Sequence, residues 1–317
     1  MAWLACAVAA LAAWSFPVLL PTGLLPAGSP SAGARASSPP RQAIPPRGRL
    51  VHASMPAPSV GGRRDVTVYL PPGYDDHPAQ RYPVIYFLHG LGASDREPFA
   101  RGHVDRDLDA LVASGSVRPW IVAAVAGGTG YWTNHLRPPA PGAVREDGPQ
   151  RWGDLVAVDL VRFVDGRFRT LPRRGCRALA GVSMGGHGAV SLALLHRDLF
   201  GGAVSLGGAL FDHPPTHRRV YGRVWGRPPN VAYWRATAPL PLLDSLPASA
   251  LRGLTLYFHA GDDDQLGFLE GALAAHAILL KRQVPHELRV TDGPHGWSAW
   301  SRVTSDWIAS LDARMCR

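Results

Sequence analysis

From Val66 onward, short continuous apolar runs alternate with longer segments of helical period. Val84–Leu88, Ile121–Val125 and Ala178–Val182 leave no polar position for a solvated face, so they predict strands buried on both sides. Ala203–Leu206, Leu254–Phe258 and Glu287–Val290 have the same character, and the β-rich Val66–Leu70 stops at the turn signal Pro71-Pro72-Gly73. Between these runs, Asp154–Phe168 sets Ala157, Leu160, Val161, Val164 and Phe168 on one helical face. Gly186–His196, Gln265–Lys281 and Trp297–Ala313 also read as helices. This alternation predicts an α/β fold: a mostly parallel central sheet with helices on both faces. In such sheets the reactive loops follow the carboxyl ends of the strands.

Upstream the pattern is different. Residues 1–34 carry no charged side chain, and Ala2–Leu20 is one long apolar run broken by Pro17. The segment predicts a signal peptide, with Ala32-Gly33-Ala34 or Ala34-Arg35-Ala36 as the cleavage site, although the basic start of such a leader is missing. A membrane anchor is the alternative, but Arg35, Arg41 and Arg47 lie on its wrong side for a domain outside the cytoplasm. The reading adopted is an extracytoplasmic protein, touching the membrane only through an uncleaved leader. Residues 35–50, rich in Pro, Ser and Ala, read as a flexible linker, and 51–317 as the folded domain.

The formal charge of +9 changes this picture little. Every basic residue except Lys281 is arginine, and the arginines are scattered rather than gathered into a stripe, so nucleic acid is excluded as a partner. Three cysteines are too few for a disulfide scaffold; Cys6 lies in the leader, and Cys176 and Cys316 either pair or remain free thiols.

The chemistry is concentrated in Gly181-Val182-Ser183-Met184-Gly185, between a predicted strand and a predicted helix. This is the G-x-S-x-G nucleophile elbow in its required strand–turn–helix context. It makes Ser183 the candidate nucleophile. A serine hydroxyl needs a base, and among the histidines His295 stands out, after the last strand and before the last helix. The acid should follow the strand Leu254–Phe258, where Asp262, Asp263 and Asp264 are adjacent; spacing does not choose among them. The cluster lacks the alternating ligands and terminal glutamate of an EF-hand loop, so no metal is assigned. Two backbone N–H donors are expected to face the oxyanion, one from Met184 after the nucleophile and one from Leu91 in the loop His89-Gly90-Leu91-Gly92. His89 itself reads as structural. Trp132, Trp152 and Trp297 are candidates for lining the substrate site, with packing in the core as the alternative.

Taken together, Val68-Tyr69-Leu70-Pro71-Pro72-Gly73-Tyr74, Tyr82–Gly90 and Ala180–Gly186 resemble the esterase family of α/β-hydrolases that includes S-formylglutathione hydrolases, feruloyl esterases and the antigen 85 mycolyltransferases. The resemblance runs from about Val51 to near the C-terminus. It implies the α/β-hydrolase fold, a carboxylic ester of a small molecule, polysaccharide or lipid as substrate, and no cofactor. It also implies that the acid is the fourth residue of a Gly-x-x-Asp pattern, here Asp264, and supports His295, Leu91 and Met184 in their roles. Hydrolysis through an acyl-enzyme on Ser183 is the expected activity. Transfer of the acyl group to an alcohol of the cell envelope, and a catalytically silent binding protein, are the alternatives.

Overall fold

The computed structural model describes residues 47–136, 150–216 and 219–317. The predicted leader, the linker as far as residue 46 and Cys6 lie outside the described residues. No helix among the described residues is long and apolar enough to cross a membrane.

Eight strands form one sheet: β1 (Arg49–Pro56), β2 (Arg63–Leu70), β3 (Val84–Leu88), β4 (Ile121–Val125), β5 (Arg177–Val182), β6 (Gly202–Leu206), β7 (Thr255–Asp263) and β8 (Glu287–Pro294). Their order is β1-β2-β4-β3-β5-β6-β7-β8. β1 and β2 run antiparallel at one edge, and all pairs from β4 to β8 are parallel. Every residue of β3, β4, β5 and β6 is buried, which is why these strands read as unbroken apolar runs. Their side chains alternate between two cores. Val84, Tyr86 and Leu88 face one, and Ile85 and Phe87 face the other, together with Trp120, Trp297 and Trp307.

The helices that cover the sheet include α1 (Val104–Ala113), α2 (Val161–Arg167), α3 (Met184–Leu195), α4 (Phe268–Lys281) and α5 (Thr304–Arg314). Ahead of α2 the helix begins at Trp152 and passes through a π-helical stretch, Leu155–Leu160. α3 is buried on nearly all sides, so it lacks the one-sided pattern of a surface helix.

Several expectations are corrected. β1 begins at Arg49, two residues inside the predicted linker. Its exposed and half-exposed residues alternate, so it shows no apolar run. β7 continues to Asp263, past the predicted end at Phe258, and places Asp262 and Asp263 within the strand. α4 starts at Phe268 because Gln265–Gly267 form a turn, with Gly267 left-handed at φ 71°. The segment read as Trp297–Ala313 is two helices, Trp297–Trp300 and α5, joined by a 3₁₀ turn. α1 and the short helices Arg219–Trp225, Val231–Thr237, Pro239–Ser245 and Ala248–Leu251 were not anticipated. The last four span seven residues or fewer, too short for a helical period to emerge.

Cys176 and Cys316 are joined, so the open question of their pairing closes on a disulfide across 140 positions of sequence. The C-terminus is further tied by Cys316 N–H donating to Gly175 O (2.7 Å) and Arg118 donating to Cys316 O (2.7 Å). A bond closing so long a loop restricts the unfolded chain, an effect typically worth about 2–4 kcal/mol. The paired Cys176→Ala/Cys316→Ala protein should therefore melt about 5–12 °C lower than the oxidised wild type. Melting curves that coincide within a degree would show that the bond contributes nothing.

Candidate active site

The turn after β5 is forced by backbone contacts. Ser183 has φ 55° and ψ −117°, a conformation that costs a non-glycine residue of order 1–3 kcal/mol. A Cβ on Gly185 would lie 1.9 Å from Leu88 O, and one on Gly181 would lie 2.4 Å from the carbonyl of Gly185. Only glycine permits α3 to start this close to β3 and β5. The strained turn is held by Ser183 N–H donating to Leu206 O (2.9 Å), while Ser183 O accepts from His187 N–H (3.1 Å) and Ala209 N–H (3.2 Å).

Three loops at the carboxyl ends of parallel strands then meet. Ser183 follows β5, Asp264 follows β7, and His295 follows β8. His295 Nε2 lies 2.9 Å from Ser183 Oγ, and Nδ1 lies 2.7 Å from Asp264 Oδ2. A carboxylate only accepts, so Nδ1 carries the proton and Nε2 is left to accept the serine hydroxyl hydrogen. The Asp264 side chain is wholly buried, and its second oxygen accepts Leu266 N–H (2.9 Å). Asp262 and Asp263 are exposed, and Asp262 instead accepts Gly293 N–H (3.0 Å). Gln265, which the sequence did not single out, accepts His295 N–H through Oε1 (3.1 Å) and so anchors the histidine loop.

A cleft of about 640 Å³ opens over Ser183. Leu91 and Met184 both line it, and among the described residues neither backbone N–H has an acceptor. Of the three candidate tryptophans, Trp297 lines the cleft and Trp132 and Trp152 do not. The Trp132 indole packs over Gly127 and Gly188 and donates to His89 O (3.2 Å). Trp152 packs over Gly130 and donates to Gln150 Oε1 (2.8 Å). Trp132 is wedged between the loop after β4 and α3, and Trp152 against the loop at Gly130. The wall is formed instead by Tyr131, Phe211, Tyr221, Phe268 and Trp300. Phe211 follows the carboxyl end of β6, a position that the loop rule could have flagged. Tyr131 lies beside the candidate Trp132; both are left-handed (φ 58° and 51°), and it is Tyr131 that faces the cleft.

Fold and geometry together define an α/β-hydrolase scaffold carrying a serine, a histidine and an aspartate in hydrogen-bonded sequence. Residues 57–311 match the family model described as "Putative esterase", and the chain belongs to that family. It is 30% identical over 146 residues to an endo-1,4-beta-xylanase/feruloyl esterase of Xylanibacter ruminicola, covering 45% of this chain and 19% of that one. It is 30% identical over 177 residues to an esterase of Mycobacterium tuberculosis, covering 56% of this chain and 35% of that one. The chain thus spans only about a fifth and a third of these curated relatives. Among solved structures, a ferulic acid esterase superposes with a TM-score of 0.71 at 22% identity, covering 85% of this chain and all of that one.

Around the site lie histidines that burial holds neutral. Burial pushes His187 beneath the cleft, His259 on β7 and His135 each down to about 4. Their folded values lie below the ordinary value near 6.5, so the unfolded chain binds more protons in between. Their contribution is therefore complete above pH 6.5 and is lost as pH falls toward 4, at roughly 1 kcal/mol per pH unit for each histidine. Urea midpoints should be flat from pH 8 to 7 and fall steeply below 6.5. His187→Asn should remove one histidine's share of that slope, whatever it does to stability at pH 7. An unaltered slope would contradict this assignment.

Proposed function

We propose that this protein is a serine carboxylesterase that works through an acyl-enzyme on Ser183, with His295 as base and Asp264 as its orienting acid. The observation that carries the reading is the unbroken chain Ser183–His295–Asp264, ending in a buried carboxylate and opening onto a cleft. Ser183 Oγ attacks the ester carbonyl as its proton passes to His295 Nε2. The carbonyl oxygen becomes an oxyanion facing the N–H groups of Leu91 and Met184. The intermediate collapses, and the alcohol departs with the proton held by His295. Water then attacks the acyl-enzyme by the same route, giving the free acid and restoring Ser183. The charge that forms on the imidazole is met by the dry carboxylate of Asp264.

The cleft wall of Tyr131, Phe211, Tyr221 and Phe268 suits an aromatic or apolar acyl group. The names of the feruloyl-esterase relative and of the superposed ferulic acid esterase support that choice. The disulfide and the apolar leader support a site of action outside the cytoplasm, on an ester borne by a small molecule or an envelope polymer.

Ser183→Ala should lose both turnover of p-nitrophenyl esters and covalent labelling by a fluorophosphonate, with a rate loss of about 10⁴-fold or more. Near-wild-type turnover in the folded variant would refute the assignment, and alcohol-dependent transfer products would make the enzyme a transferase. Asp264→Asn should cost about 10³–10⁴-fold in kcat. Asp262→Asn and Asp263→Asn, on exposed side chains, should stay within a few-fold of wild type.

A further inference from the structure

The Leu91 N–H is useful only if its peptide plane faces Ser183, and two buried side chains hold that plane and the one before it. The first is His89. Gly127 N–H donates to its Nε2 (2.9 Å), so Nε2 is an acceptor and Nδ1 carries the ring proton. Nδ1–H then donates to Gly90 O (2.7 Å). Burial lowers the His89 pKa, which keeps this neutral form in place. In a trans peptide the C=O and N–H point in opposite directions. Holding Gly90 O against the buried imidazole therefore turns Leu91 N–H the other way, toward the cleft that Leu91 lines.

The second side chain is Glu97, in the four-residue helix after the loop. It is 8% exposed, yet both its oxygens are used. Oε2 accepts Gly90 N–H (3.0 Å), and Oε1 accepts Trp297 Nε1–H (3.1 Å). Trp297 sits two residues after His295, and its neighbour Trp300 meets the His295 ring edge-on at 5.0 Å. One carboxylate thus ties the loop after β3 to the segment that carries the histidine. The loop runs close to the nucleophile at this point, since a Cβ on Gly90 would sit in ordinary van der Waals contact with Ser183 Cβ (3.6 Å).

We propose that His89 and Glu97 are positioning residues that fix two consecutive peptide planes, His89–Gly90 and Gly90–Leu91, and so aim the Leu91 N–H at the oxyanion. This rests on the serine-esterase reading above. A misaligned donor should weaken transition-state binding and leave ground-state binding nearly intact. Glu97→Gln keeps the shape but places an N–H₂ against one of two N–H donors, so one contact must break.

The test compares an ester with its thionoester, whose sulfur accepts hydrogen bonds poorly and draws less on the two donors. Wild-type protein should favour the ester strongly. In Glu97→Gln, kcat for the ester should fall about 10–100-fold, a fraction of the 10²–10³-fold assigned to losing one such donor. KM should stay within about threefold, and the ester-to-thionoester ratio should drop at least as much as kcat. A folded Glu97→Gln protein with an unchanged ratio overturns the proposal, because general destabilisation would slow both substrates alike. Should that variant not fold, Trp297→Phe removes the Nε1 donor while keeping a ring, and should lower the ratio in the same sense by less; an unchanged ratio there overturns it equally. A wild-type protein that neither turns over esters nor takes up a fluorophosphonate would instead refute the esterase reading, and this proposal with it.

Discussion

The approach of Gly185 to the carbonyl of Leu88 is the contact on which the site depends. At 1.9 Å from the position a Cβ would take, it lets the first turn of α3 enter the space between β3 and β5. Because the helix starts so close, the chain at Ser183 must turn through a conformation that L-residues avoid. The strain does not relax, because both backbone polar groups of Ser183 are engaged, by β6, by α3 and by the segment at Ala209. Each such hydrogen bond contributes of order 1 kcal/mol net, enough together to hold a strain of 1–3 kcal/mol. The product is a serine oxygen raised above the sheet, beside the N–H of Met184 at the helix start, which has no acceptor among the described residues.

Strain recurs at Tyr131 and Trp132, both left-handed without being glycine. Here the opposing force is burial. Trp132 is 1% exposed, wedged over two glycines and bonded to His89 O. Burying an indole of this size is worth several kcal/mol and outweighs two unfavourable backbone positions. Its anchorage leaves Tyr131 fixed in the cleft wall, against Phe211 and Tyr221. The shape of the cleft over Ser183 is thus determined in part by a residue that does not touch it.

What the sequence discloses follows from burial. β3 and β4 begin and end at their predicted residues because no solvent reaches either face. β1 was missed because its residues are half exposed at an edge, where apolar and polar positions mix. Ser183 and His295 could be picked out because local context, a strand ending in a glycine-flanked turn, travels with the residue. Trp132 and Trp152 could not be sorted from Trp297, because which aromatic faces a cleft is decided by loop conformation. Glu97 and Gln265 carried no signal at all: each acts through a backbone N–H brought near by the fold.

The three adjacent aspartates show how far local sequence can be misleading and what resolves it. Asp262 and Asp263 belong to β7 and are held at its exposed end by pairing with β8, across an irregularity in register between Gly261 and Asp263. Asp264 is the first residue past the strand, where the chain turns inward and the carboxylate is covered completely. That distinction is electrostatic in its consequence. An exposed carboxylate interacts with a neighbouring charge through water and gains little, whereas a dry one holds its partner strongly. A buried charge without partners would be prohibitive. Asp264 has two: Leu266 N–H at one oxygen and His295 at the other. Of the three, Asp264 is therefore the one whose own charge is satisfied by backbone and histidine and cut off from solvent, as the proposed acid requires.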